Sequence, residues 1–191
     1  MTKRLTAVFS AIDDANSADP TLEEDGADLR PAALLYGRRM SSELGRICPQ
    51  ASEVLQVAAR GQHIERWKTP RDAYPEGRAG YFAWRKAQAA GHGARLAGLM
   101  AAAGYHGDER ARVVSLLKKE NLKGDSEVQM LEDVICLVFL RWYFAAFAEG
   151  RESEQIFRIV SKTARKMSAE GRARVAAEFD LPEELAPALA V

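Results

Sequence analysis

"SEVQMLEDVICLVFLRWYFAAFAEG", residues 126–150, decides the fold class. It is the longest and most apolar segment with helical spacing, which predicts a long helix at the centre of a core. Its apolar run "VICLVFL" covers seven residues and meets Arg141, far short of the roughly 20 needed to span a bilayer. Ser126 and Gln129 have the form of a capping box, which starts the helix near Glu127. Glu132 and Asp133 then fall in the second turn, beyond the reach of the helix dipole. Carboxylates entering a buried helix need a partner. That partner is either a divalent metal held with His63 or His92, or an ion pair with Lys118, Lys119 or an arginine; the ion pair is the favoured expectation.

Outward from this segment, helical periodicity recurs, alanine is plentiful and strand alternation is missing. Helices are expected over about 2–16, 31–47 (with Pro31 in the opening position), 51–67, 81–105 and 108–121. Two more close the chain, over about 151–166 and 169–179. Between them lie a turn at "NSADP", a polar acidic loop to Pro31, and "KTPRDAYPEGRAG", whose Pro and Gly content reads as loop. Gly91 and Gly93 beside His92 mark a kink or a close helix crossing. The expected fold is all-α: one single-domain helical bundle of about seven helices over 1–191, with 151–191 as a C-terminal cap.

The whole-chain balance is neutral, with Lys+Arg and Asp+Glu each at 27, so no overall basic excess points to nucleic acid or an anionic membrane. The distribution is uneven: residues 1–30 hold three basic and seven acidic side chains, residues 60–123 thirteen basic and six acidic. A locally positive middle attracts phosphate or carboxylate if the fold gathers its charges on one face. Two cysteines, Cys48 and Cys136, supply neither a disulfide framework nor a thiolate metal site. The first residues carry Asp13 and Asp14 before any sustained apolar stretch, unlike a signal peptide. A cytoplasmic location is the expectation, with no membrane association.

Three constellations carry candidate chemistry. In "RGQHIERW", residues 60–67, helical spacing would stack Arg60, His63 and Trp67 on one stripe with Gln62 and Arg66 beside it. The alternative is a part-buried histidine with arginine stems covering apolar surface. Tyr81, Arg85, Gln88 and His92 form a second polar stripe, preceded by a loop with Arg71, Tyr74 and Arg78, where Gly77 and Gly80 flank Arg78 at a helix start suited to an anion. The third is Glu132 with Asp133.

Helix order and short motifs resemble the HD-type phosphohydrolase superfamily over about 32–140. "LLYGRRM" is similar to its first ligand helix, with Tyr36 where a histidine would stand; "AARGQHIERW" places Gln62 and His63 at the His-Asp pair. His92 begins a helix as the family's next histidine does. "VVSLLKKENL" has Lys118 and Lys119 at a ligand position, and "LEDVICLV" resembles the closing aspartate helix with Ile135 in the aspartate's place. The resemblance implies an HD-like core over 32–148 and phosphate-ester chemistry, with a divalent metal whose ligand set departs from the family's pattern.

A second resemblance runs over about 5–170. "AIDDANSADP", "QHIERW", "PRDAYPEGRAGYFAWR", "LKKENLKGDSEVQMLEDV" and "CLVFLRWYF" are similar to an uncharacterised bacterial and fungal domain-of-unknown-function family. Some of its members are labelled glutamyl-tRNA synthetase. His63-Ile64 and Lys166-Met167-Ser168 match only fragments of the class I signatures, and a Rossmann site needs parallel strands, so that label is rejected.

The expected function is binding of a phosphorylated small molecule or nucleotide, with hydrolysis as its enzymatic form. In this scheme Arg60, Arg66, Arg78, Lys118 and Lys119 neutralise phosphate, His63 acts as acid or base, and Glu132 with Asp133 orients a cation or water. One alternative is a regulatory adaptor holding RNA or a protein through the basic segment and the aromatics Trp67, Tyr81 and Trp84. Another is a helical scaffold. Trp142, Tyr143, Phe144 and Phe147 belong either to the core or to a homo-oligomer face.

Overall fold

The computed structural model describes residues 1–180 and 182–189. Backbone contacts divide the chain into two compact units, Met1–Glu120 and Asn121–Val191. The expectation of one domain with a cap from 151 does not mark this boundary, because periodicity labels each helix but not its packing partner.

The first unit opens with α1 (Lys3–Asn16), capped by the Thr2 hydroxyl on the Leu5 N–H. The acidic loop that follows holds a hairpin, β1 (Leu22–Asp25) and β2 (Asp28–Pro31), antiparallel with Glu23 opposite Arg30. Expecting only loop here missed the turn chemistry: Gly26, at φ +67°, occupies the first position of a two-residue connection where a primed turn requires positive φ. Helix α2 (Ala32–Ile47) starts after Pro31 without a capping side chain from that residue. Asp19 does the work from outside, one carboxylate oxygen accepting from Thr21 N–H and the other from Ala33 N–H at 2.9 Å.

The next helix is much shorter than its sequence pattern suggests. Helix α3 spans Glu53–Arg60 and ends at Gly61. A Cβ on Gly61 would sit 2.4 Å from a Leu96 methyl, so glycine allows that leucine to pack directly against the backbone. The chain then runs through an irregular turn, with Glu65 at φ +51°, into short 3-10 helices at Arg66–Lys68 and Arg71–Ala73. Helix α4 (Gly77–Ala102) starts earlier than expected and is continuous through Gly91 and Gly93. Of the two readings of those glycines, the close crossing holds: a Cβ at Gly93 would be 3.3 Å from the Val114 Cα on α5 (Gly107–Lys118), which packs along α4. His106 is the N-cap of α5 in a capping box with Glu109.

Leu5, Val8 and Ile12 of α1, Met40 and Leu44 of α2, Leu55 and Val57 of α3, Leu96 and Met100 of α4, and Val113 and Leu116 of α5 are buried. A polar knot also ties the helices. Arg4 bridges Glu53 and Glu109 at 2.8 Å each and lies 4.0 Å over the Tyr105 ring, while the Tyr105 hydroxyl donates to Glu53 at 2.8 Å. Burial and the hydrogen bond to Glu53 push the Tyr105 pKa up, so this hydroxyl remains a donor at every working pH.

In the second unit, the long expected helix is three pieces: α6 (Ser126–Val138), a π-helical turn (Phe139–Tyr143) and α7 (Phe144–Ala148). The cap is Asp125 rather than Ser126, its carboxylate accepting from the Glu127 and Val128 N–H groups. The wide turn has a packing reason. Residues five apart point in different directions on an α-helix, but the π-turn brings Phe139 against both Phe144 (6.0 Å) and Phe147 (5.6 Å), edge to face. Helices α8 (Ser153–Ala164) and α9 (Ala169–Glu178) match expectation, and α10 (Ala186–Leu189) follows a short 3-10 turn. Phe144, Ile156 and Leu189 pack on a cluster of Val160, Leu185 and Ala188, which assigns Phe144 to the core side. No helix among the described residues is long and apolar enough to cross a membrane.

Candidate functional site

Because α3 ends at Arg60, His63 stands in the turn after it rather than on a helix face. The predicted stripe of Arg60, His63 and Trp67 does not form. Arg60 turns to Asp13, with Nε at 2.7 Å and Nη2 at 2.6 Å from the two carboxylate oxygens. Trp67 is half-buried in the 3-10 turn. Arg71 donates to the carbonyls of Tyr74 and Gly77 and so shapes its own loop, and Arg78 is exposed beside the Phe82 ring. Gly80 is needed where that loop meets α4, since a Cβ there would fall 1.8 Å from the Pro75 carbonyl oxygen.

The turn instead builds a different group. The His63 ring stacks on Tyr36 of α2, centroids 4.0 Å apart and planes 14° from parallel, and His92 of α4 lies 6.3 Å away at 53°. The Arg66 N–H bonds the His63 carbonyl at 3.2 Å, holding the two residues in one turn. The Arg66 guanidinium lies 4.5 Å over the Trp84 ring. Gln88 secures the turn from α4, donating to the Arg66 and Thr69 carbonyls at 3.0 and 2.9 Å, and the Trp84 indole N–H also reaches Thr69 at 2.8 Å. Arg85 sits beside Tyr81, 3.4 Å from its hydroxyl. Thus α2, α4 and the 61–69 turn bring Tyr36, His63, Arg66, Trp84 and His92 together.

Cations outweigh the carboxylate of Glu65, which opposes the lowering of the His92 pKa, in the electrostatics of this group. Burial, then the charges of Arg66, His92, Lys119 and Arg85, hold the His63 pKa well below the usual histidine range. Burial, then Arg66, lowers His92 to about 4 against a hydrogen bond to the Gln62 backbone. Both rings are neutral at pH 7. Arg66 has no carboxylate partner among the described residues, and burial disfavours its charge. Glu65, its neighbour, is committed to Lys68 (2.6 Å) and Arg95 (2.9 Å).

The second carboxylate constellation belongs to the other unit and has other work. Asp133 is buried and accepts from the Ser168 N–H (2.8 Å), the Ser168 hydroxyl (2.5 Å) and Gln129 (3.1 Å), fixing the N-cap of α9. Glu132, also buried, lies 3.8 Å from Lys166. Of the two expected kinds of partner, an ion pair forms for Glu132, and Lys166, outside the basic segment, supplies it. Lys118 is exposed with Glu120 at 3.9 Å. Lys119, at φ +57°, is the residue of the pair whose charge reaches His63.

Tyr36 was missing from the candidate binding residues; its only signal in the sequence was its place in the ligand-helix motif. His63 and His92 are apt metal ligands chemically. Among the described residues, however, no group of three or more His, Cys, Asp or Glu side chains gathers to hold an ion. The donor set therefore does not fit a divalent metal at this site.

What emerges is an all-α protein whose first unit holds two neutral histidines under a field of cations. The chain belongs to the family described as a domain of unknown function, DUF4202, whose model matches residues 6–189. No curated protein and no solved structure matches it.

Proposed function

We propose that the first unit binds a phosphorylated small molecule or nucleotide at the Tyr36–His63–Arg66–His92 group. Arg66 carries this reading. A guanidinium partly withdrawn from water is disfavoured unless an anion pairs with it, and no carboxylate among the described residues does so. A phosphate supplies that partner, and Arg85 and Lys119 add positive field at the same place. A bound dianion opposes the cations that lower the His63 pKa and so makes the neutral ring a stronger base. Neutral His63 is suited to accept a proton from water, the general-base role that hydrolysis of a phosphate ester requires. Asp133 and Glu132 have no part in this scheme.

The test is calorimetry and thermal shift with inorganic phosphate, sugar phosphates and nucleotides, on the native chain and on Arg66→Gln. A ligand at 100 times its Kd stabilises by about 2.7 kcal/mol. Losing a charge-assisted contact worth about 1.5–3 kcal/mol weakens binding by roughly 10-fold or more. Equal binding by the variant, or no response to any phosphate compound, refutes the reading.

One observation favours a second reading, an adaptor for single-stranded RNA. Tyr81 and Phe82 are 39% and 54% exposed, with Arg85 and Arg78 beside their rings. Such aromatics stack unpaired bases. Binding of an oligonucleotide that falls steeply with salt, without affinity for mononucleotides, would select it over the first.

A further inference from the structure

Two acceptor atoms next to the proposed phosphate site have no donor. Gln62 and His92 are 8% and 6% exposed, and Gln62 Oε1 and His92 Nε2 meet no hydrogen-bond partner. The His92 ring bonds the Gln62 backbone, an interaction that favours the protonated ring and so places a proton on the ring nitrogen facing that carbonyl. The other ring nitrogen, the unpartnered Nε2, then carries a lone pair. Gln62 Oε1 is an acceptor by its nature. Gln62 precedes His63 in the chain, its backbone meets the His92 ring, and that ring lies 6.3 Å from the His63 ring, so both acceptor-bearing residues adjoin the histidine on which the charges of Arg66, Arg85 and Lys119 act.

We infer that the ligand is a phosphorylated sugar, whose phosphate meets Arg66 and whose hydroxyl groups donate to Gln62 Oε1 and His92 Nε2. This rests on the phosphate reading above and narrows it. Buried acceptors left unpaired are unfavourable, so a ligand bringing neutral donors gains over one that does not. The donors must be neutral, because an ammonium group would be repelled by the same cations that hold the phosphate. Hydroxyls carried a few bonds from a phosphate are the chemistry of sugar phosphates, whether free or as the ribose of a nucleotide.

The experiment is isothermal calorimetry of the native chain with propyl phosphate, ribose 5-phosphate and adenosine monophosphate. Propyl phosphate has the charge and none of the hydroxyls. We expect ribose 5-phosphate to bind at least tenfold more tightly than propyl phosphate, and Gln62→Met, similar in length but without the acceptor, to cut that ratio severalfold. Adenosine monophosphate stronger than ribose 5-phosphate, with that gain also present, identifies the nucleotide as the source of the sugar; the reverse order identifies the free sugar phosphate. Equal affinities for propyl phosphate and ribose 5-phosphate overturn the inference while leaving the phosphate site standing, as does a gain for adenosine monophosphate alone. Failure of all three compounds to bind removes both. The comparison among ligands needs no variant, so it decides the matter even where Gln62→Met does not fold.

Discussion

Replacing Asp133 by alanine should unfold the cap of α9 rather than disable a binding site. Its two oxygens accept from the Ser168 N–H, the Ser168 hydroxyl and Gln129, at 2.8, 2.5 and 3.1 Å, in a place where the residue is 4% exposed. Hydrogen bonds to a charged group contribute about 1.5–3 kcal/mol each, and three sharing one acceptor do not add fully. Losing the orientation of Ser168, whose hydroxyl accepts from Gly171 N–H at 2.9 Å, removes a helix cap worth about 1 kcal/mol. The expected cost of Asp133→Ala is therefore about 3–5 kcal/mol. Asp133→Asn keeps one oxygen for the Ser168 N–H and turns an NH₂ toward a hydroxyl that can accept it, so about 1–2 kcal/mol is expected. Hydrogen exchange read by mass spectrometry over 166–178, alongside thermal melting by circular dichroism, should rank the variants Ala, Asn, native in order of lost protection. Native protection and melting in Asp133→Ala, combined with loss of phosphate binding, would refute the argument and return this aspartate to the site.

Three further outcomes follow from the same geometry. Gly80→Ala should be among the most damaging helix substitutions in the first unit, since its Cβ meets a carbonyl oxygen at 1.8 Å, and Gly61→Ala should cost about 1–3 kcal/mol against buried Leu96. Gly98→Ala, with open space around it in α4, should instead stabilise by about 0.5–1 kcal/mol; urea titrations of the three compare directly. Stability should fall as pH drops from 6.5 toward 4, because the unfolded chain protonates His92 near its ordinary 6.5 while the folded chain resists until about 4. That shift is worth about 3 kcal/mol, with His63 acting in the same direction, and His92→Gln should flatten the pH profile of the urea midpoint. Arg60→Ala should lower stability by about 1–3 kcal/mol through its bidentate pair with Asp13 and leave phosphate affinity as it was, measured by calorimetry below the melting range.

The helices were legible because each announces itself locally. Alanine-rich periodic stretches gave α1, α2, α8 and α9 close to their observed bounds, and the run of apolar positions marked α6. The failures have a common cause. The pattern across 51–67 is helical in its own right, but α3 ends at a Gly61 C-cap, and the side chain that glycine lacks leaves the space that Leu96, 35 positions later, fills. The 126–150 segment carries no glycine or proline to announce a break before its end, and the π-turn arises from where Phe139, Phe144 and Phe147 must meet. The hairpin had a local signal in Asp25-Gly26, as the end of α3 had in Gly61.

For the site, residue chemistry alone singled out His63, Gln62, Arg66, Arg85, His92 and Lys119, since a clustered histidine, amide and cations are readable wherever they fold. Which of the basic residues face one another depended on long-range pairs. Arg60 was taken by Asp13, 47 positions away, and Asp133 by Ser168, 35 positions away. By itself the sequence determined an all-α chain with a positive middle, because helix propensity and charge are properties of neighbouring residues. The tertiary structure alone decided that Tyr36 stacks on His63 and that Arg66 lies over Trp84, because those contacts join segments that nothing in the local pattern links.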